Sequence, residues 1–251
     1  MTEQKMAFVQ RLSWVRIIEH WVNASVFILL VVTGLSQKFH TFELSQGLIL
    51  FFGGIDSTRL IHRACGVLFA AVMVLHMTVA VVGVMLKRWQ PTMLINKKDF
   101  FDAIDNLRYY FGLSDHPAAC DRYDYKQKFE YWGVVMGGIL MVATGFVLWF
   151  PTVATYLLPG ELVAVSKAIH TNEAMLAFLI IATWHIYNAV FSPEVFPLDT
   201  VIFTGKISRE RMMHEHPLEL ARLEGKSLED LLQEKEDFSH ASRPLKPPPN
   251  D

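Results

Sequence analysis

The chain has 251 residues, 52% of them hydrophobic and 19% charged, with a mean hydropathy of +0.27; soluble domains carry about 25% charged residues, so an ordinary soluble domain is excluded. A formal net charge of -2 and a pI near 6.5 leave no basic excess for a nucleic-acid binder. Two cysteines, Cys65 and Cys120, exclude a disulfide scaffold, a four-cysteine iron–sulfur cluster and covalent C-x-x-C-H haem attachment.

A bilayer core of about 30 Å needs roughly 20 apolar residues in a helix. The first run that meets this need is 20–37, and the second is 64–86, between Arg63 and Lys87. The third is 131–150, ending at Pro151, and the fourth is 174–193, extended back to about Val165. The first run lacks a small-residue cleavage site and follows an amphipathic stretch, so it is expected to stay in the mature chain rather than act as a signal peptide. A shorter run, 48–55, contains Gly53 and Gly54 and reads as an interfacial or re-entrant piece. Lysine and arginine crowd the connection between spans two and three and the N-terminal segment, which places both termini and the middle loop in the cytoplasm.

Outside the spans, 97–113 repeats Phe100, Phe101, Ile104, Leu107 and Phe111 at helical spacing, the pattern of an amphipathic helix lying on a membrane surface. Ser208 and Ser227 read as helix caps, and the proline-rich stretch from Arg243 reads as disordered. Residues 1–205 thus form a membrane domain and 206–251 a cytoplasmic tail. No internal repeat is evident.

Five of the ten histidines lie in or beside spans: His20, His62, His76, His170 and His185. An ionisable group at bilayer depth costs about 3 kcal/mol on insertion scales and marks a functional site by default, the bland alternative being a bond to a neighbouring helix. Fourteen residues separate His62 from His76, and fifteen separate His170 from His185. At about 100° and 1.5 Å per residue, each pair returns to within about 40–60° of one helix face, about 21–22 Å apart along the axis. Both helices run inward, so His62 and His170 share an outer level while His76 and His185 share an inner one. Imidazoles facing each other at two depths fit two stacked haems; zinc needs three or four ligands at one depth. His20 gives the inner level a surplus histidine, although spacing alone puts His76 opposite His185.

The segment Arg16-Ile-Ile-Glu-His20-Trp21 resembles the opening of the cytochrome b (gamma) subunit of membrane-bound formate dehydrogenases and nickel–iron hydrogenases. The likeness continues in Arg59-Leu-Ile-His62-Arg-Ala-Cys-Gly66, Ala168-Ile-His170, His185-Ile-Tyr187, Arg122-Tyr-Asp-Tyr-Lys-Gln-Lys128, Gly205-Lys-Ile-Ser208 and His216-Pro217. It runs from about residue 10 to about residue 220. The resemblance implies an all-α, four-helix membrane cytochrome of a bacterial or archaeal cytoplasmic membrane, holding two b-type haems. His20 and His185 would ligate the inner haem, with His76 the alternative ligand, and His62 and His170 the outer one. It also implies an exchangeable menaquinone or ubiquinone near the inner haem, by Asp124 and Lys126, where the formate dehydrogenase pattern has asparagine and glycine.

The expected function is electron transfer between an outer-face partner and the quinone pool, as the quinone-reactive subunit of an oxidoreductase complex. The chain has no dinucleotide fingerprint and no molybdenum or nickel ligand set, so it has no substrate-oxidising site of its own. The partner would be an iron–sulfur or multihaem c-type cytochrome subunit. Competing readings are a stand-alone b561-type reductase and a haem-free transporter or anchor. Arg16 and Arg63 are candidates to pair with haem propionates, or are simple topology determinants. Cys65 reads as a packing residue. In His214-Glu-His216 the two-residue spacing splits the imidazoles around a helix, which reads as solvated surface rather than zinc.

Overall fold

The structure, a computed structural model, describes residues 7–193 and 195–241. In chain order the elements are β1 (Phe8–Gln10), α1 (Trp14–Lys38), α2 (Glu43–Phe51), α3 (Ile55–Met85), α4 (Lys97–Tyr110), α5 (Tyr125–Trp149), α6 (Pro151–Leu157) and α7 (Glu161–Ile180). Two wide i→i+5 segments, Ile181–His185 and Tyr187–Phe191, prolong α7. Then come α8 (Val201–Thr204), β2 (Lys206–Ser208), α9 (Arg209–Glu215), α10 (Pro217–Glu224) and α11 (Leu228–Ala241). The chain divides into two compact units: Leu12–Pro91 with Glu130–Gly205, and Thr92–Phe129 with the segments up to Arg11 and from Lys206 onward.

The first unit holds the membrane bundle. Four helices are long and apolar enough to span: Trp14–Lys38, Ile55–Met85, Tyr125–Trp149 and Glu161–Phe191. All four exceed the charge-free runs read from sequence, because charged residues such as Asp56, Arg59 and Lys167 continue the helices at their ends, where long side chains reach polar surroundings. Glu173, which bounded the fourth run in the sequence, sits well inside α7. Within 48–55, α2 ends at Phe51. Gly53 (φ 87°) and Gly54 (φ 100°) then turn the chain through backbone angles that favour glycine.

Packing in this unit inverts the soluble pattern. Thr33, Ser36, Thr58, Thr144 and Ser166 are buried, whereas Ile28, Leu60, Leu75 and Met136 are exposed. Apolar side chains gain little by leaving lipid, so small and hydroxyl-bearing residues take the helix–helix interfaces. Helix α1 lies along both α3 and α7. Helix α5 meets α3 at Gly138, where an added Cβ would stand 3.0 Å from the Met73 sulfur and 3.2 Å from the Phe69 ring.

The second unit joins segments distant in sequence. Strand β1 pairs antiparallel with β2, Phe8 opposite Ser208 and Gln10 opposite Lys206. Helix α4 starts with a reciprocal capping box between Asn96 and Asp99. Its polar side is the inner one: Asp99 and Asn106 are buried, and Lys128 Nζ binds both Asp99 oxygens at 2.7 and 2.9 Å. Phe100, Phe101, Ile104, Leu107 and Phe111 are exposed, as suits a helix with its apolar face on lipid.

Ser208 caps α9 through the Arg211 N–H, and Ser227 accepts the Asp230 N–H. The small core of the tail is Met212, Leu220 and Leu231. Arg209 bonds Glu224 and Glu234 beside it. The solvated-surface reading fails for His216, which is 3% exposed. Its ring lies between the Asp121 carbonyl at 2.7 Å and Arg11 at 3.1 Å, while Glu219 pairs with both Arg11 and Arg122. Burial pushes the His216 imidazole down to about 4. The proline-rich stretch from Arg243 lies outside the described residues.

Candidate functional site

Four of the five span histidines face each other in two pairs. The His62 and His170 ring centroids are 6.2 Å apart, and those of His20 and His185 are 6.1 Å apart. These separations lie within the range of ordinary ring pairs and also match a specific chemical arrangement. Two metal–imidazole bonds of about 2.0 Å, plus two ring radii of about 1.1 Å, would put two imidazoles on one metal about 6.2 Å apart between centroids. Both separations would suit one iron shared by the pair.

The hydrogen bonds of the His62–His170 pair set the tautomer that a ligand needs. Thr33 Oγ1 donates to the Leu29 carbonyl at 2.6 Å, so its lone pair accepts from His62 Nδ1–H at 2.9 Å. Thr144 repeats the device, donating to the Leu140 carbonyl at 2.7 Å and accepting from His170 Nδ1–H at 3.0 Å. With the proton held on Nδ1, Nε2 keeps its lone pair for a metal. Each threonine is followed by a glycine against the same ring. A Cβ at Gly34 would stand 3.1 Å from His62 Cε1, and one at Gly145 would stand 3.3 Å from His170 Cε1. The Thr-Gly pairs of α1 and α5 are thus equivalent, a local likeness that the sequence showed only as two dipeptides in apolar runs.

At the His20–His185 pair, His185 Nδ1–H donates to Glu130 Oε1 at 2.6 Å. His20 Nδ1 is buried with no hydrogen-bond partner among the described residues. His20 lies six residues after the start of α1, and His185 six residues before the end of the wide-turn extension of α7. Each is therefore about 9 Å or less from its helix end, and the two depths agree. The wide turns matter as well: a fifteen-residue step at about 100° overshoots one face by about 60°, and extra residues per turn remove part of that excess.

His76 is differently placed. Its Nδ1 meets the Glu19 carboxylate and Arg16 Nη1, and its Nε2 lies 2.9 Å from the Tyr131 hydroxyl. Both ring nitrogens are engaged by protein groups, and the spacing argument that set His76 opposite His185 does not hold in the fold. Arg16 also bonds Glu19 at 2.7 Å and stacks on Trp89. Arg63 stacks on Trp149. Cys65 is half-buried.

In the other unit, Asp124 Oδ1 accepts from Gln127 N–H at 2.7 Å, closing the first turn of α5. Lys126 Nζ lies 3.3 Å from the Tyr110 hydroxyl and over the Tyr110 and Tyr125 rings. The residues that sequence reasoning missed are Thr33, Thr144, Glu130, Glu19 and Tyr131. Only the two Thr-Gly pairs left a signal, as small polar residues inside apolar spans.

A four-helix membrane bundle with two facing imidazole pairs at different levels has the architecture of a membrane cytochrome. Residues 11–201 match the family model described as prokaryotic cytochrome b561, and the chain belongs to that family. The cytochrome b556(fdo) subunit of formate dehydrogenase from Escherichia coli K12 is 27% identical over 177 residues, 69% of this chain and 75% of that protein. The cytochrome b556(Fdn) subunit of the nitrate-inducible formate dehydrogenase from the same strain is 25% identical over 199 residues, 79% of this chain and 83% of that protein.

Proposed function

We propose that this chain is the membrane-anchoring, quinone-reactive cytochrome b subunit of an oxidoreductase complex, carrying two b-type haems. It passes electrons between a redox partner at the outer face and menaquinone or ubiquinone at the inner face. The observation that carries this reading is the pair of imidazole couples, each spaced for one iron, with the outer couple locked in the ligating tautomer. His62 and His170 hold the outer haem, and His20 and His185 the inner one. Bound haem would supply one-electron transfer at each level.

The chain's own residues do the rest. Thr33 and Thr144 keep the Nδ1 protons in place, Gly34 and Gly145 let the rings lie against their helices, and the apolar spans exclude water. Resemblance to the family supports quinone binding by Asp124 and Lys126. The relatives named above are formate dehydrogenase subunits, which supports a partner of iron–sulfur or multihaem cytochrome type. The lysine and arginine bias supports cytoplasmic termini in a bacterial or archaeal inner membrane, with 206–251 as cytoplasmic tail. Arg16 and Arg63 remain propionate partners in this reading.

Pyridine haemochrome analysis and reduced-minus-oxidised spectra of the purified full chain test it. Two b haems per chain are expected. A preparation supplied with excess haem that binds none overturns the proposal in favour of a transporter or anchor.

A further inference from the structure

The two imidazole pairs differ in the charge of the groups that hold them. At the outer level both holders are neutral hydroxyls, Thr33 and Thr144. At the inner level the holder is a carboxylate, Glu130, whose side chain is 19% exposed at the start of the span portion of α5. A second carboxylate, Glu19, sits beside His20 in sequence but is paired with Arg16 and His76. Among the described residues Glu130 makes no ion pair other than that with His185. Its carboxylate is bonded directly to an imidazole of this pair.

We propose that Glu130 is a positioning residue that acts through His185 to lower the reduction potential of the inner haem, while the neutral threonines leave the outer haem higher. The inference rests on the haem assignment above. An imidazole that donates Nδ1–H to a carboxylate gains electron density at Nε2 and becomes a more basic ligand. A more basic ligand, with a carboxylate hydrogen-bonded behind it, favours ferric over ferrous iron. A surrounding of low dielectric makes that charge count for more than it would in water. A hydroxyl acceptor orients the ring equally well without adding charge. The fold thus separates orientation, common to both levels, from electronic bias, present at one.

Glutamine at position 130 separates the two roles in an experiment, because its side-chain carbonyl still accepts from His185 Nδ1–H while the charge is gone. Spectroelectrochemical titration of the full chain follows two one-electron waves, with haem content measured in parallel. In Glu130→Gln the lower wave should rise by at least a tenfold change in the ferric-to-ferrous ratio, about 59 mV for a one-electron couple. The upper wave should stay in place. Two haems with neither wave moved, or both waves moved alike, overturns the inference while leaving the haem reading intact. Absence of haem from the unsubstituted chain overturns that reading instead.

If Glu130→Gln retains only one haem, redox-difference infrared spectra of the unsubstituted protein and of Glu130→Asp decide. A carboxylate band that follows the lower wave and is displaced by the aspartate supports the proposal. A spectrum with no such band refutes it.

Discussion

Replacing Thr33 by valine keeps the side-chain shape and removes a single oxygen. In the fold that oxygen is 0% exposed, gives its proton to the Leu29 carbonyl at 2.6 Å and accepts from His62 Nδ1–H at 2.9 Å. Valine leaves the imidazole N–H without a partner, at about 1–3 kcal/mol, although interhelical bonds in membranes average nearer about 0.6 kcal/mol. Loss of a group that orients a metal-bound histidine commonly weakens metal binding about 10–100-fold, or about 1.4–2.7 kcal/mol. The overlap of these ranges predicts about tenfold faster loss of one haem of the two. Transfer of haem from purified protein to an apo-globin acceptor measures it as a biphasic decay in which only one phase quickens. Thr33→Ser should restore the slow phase, and Thr144→Val should act on the same phase. Thr171→Val, which loses only bonds to its own helix at Lys167 and Ala168, should change neither. Haem release from Thr33→Val at the unaltered rate, or equal quickening of both phases, would refute the tautomer argument.

Other expectations follow from the same geometry. His20→Ala should lose one haem, whereas His76→Ala, whose two nitrogens already serve Glu19, Arg16 and Tyr131, should keep both; haem counts with the opposite outcome would reassign the inner ligand. Asp124→Ala should impair quinone-linked turnover at unchanged haem content, and Asp124→Asn, which can still cap α5, separates a charge effect from loss of the cap. Unchanged turnover and inhibitor sensitivity in both would move the quinone pocket elsewhere. A reporter fused after Pro248 should be active in the cytoplasm, and periplasmic activity would reverse the inner and outer assignments.

The tail unit should also be sensitive to acid. His216 is held near 4 by burial and by Arg11, against an ordinary value of 6.5. The unfolded chain therefore binds the extra proton first as pH falls. Stability is intact above about 6.5 and is lost between there and about 4, by about 3 kcal/mol in all. Limited proteolysis of the tail at pH 7 and 4.5 should reveal this, with a smaller difference in His216→Gln. Equal protection of the unsubstituted protein at both pH values would contradict it.

The amino-acid order alone determined the membrane character, the four spans, the exposed apolar stripe of α4 and the set of candidate histidines. Each of these follows from local composition or from one helical period, which neighbouring residues carry by themselves. The tertiary structure decided which imidazoles meet. His20 rather than His76 faces His185, because spans α1 and α5 engage both nitrogens of His76 through Arg16, Glu19 and Tyr131, and because wide turns around His185 alter a phase computed for a regular helix. The hydrogen bonds that Thr33, Thr144 and Glu130 accept join residues 26 to 55 positions apart. Burial of His216 likewise needs Arg11 and Asp121, 205 and 95 positions away. Such pairings depend on how elements pack across the chain, and no local period encodes them.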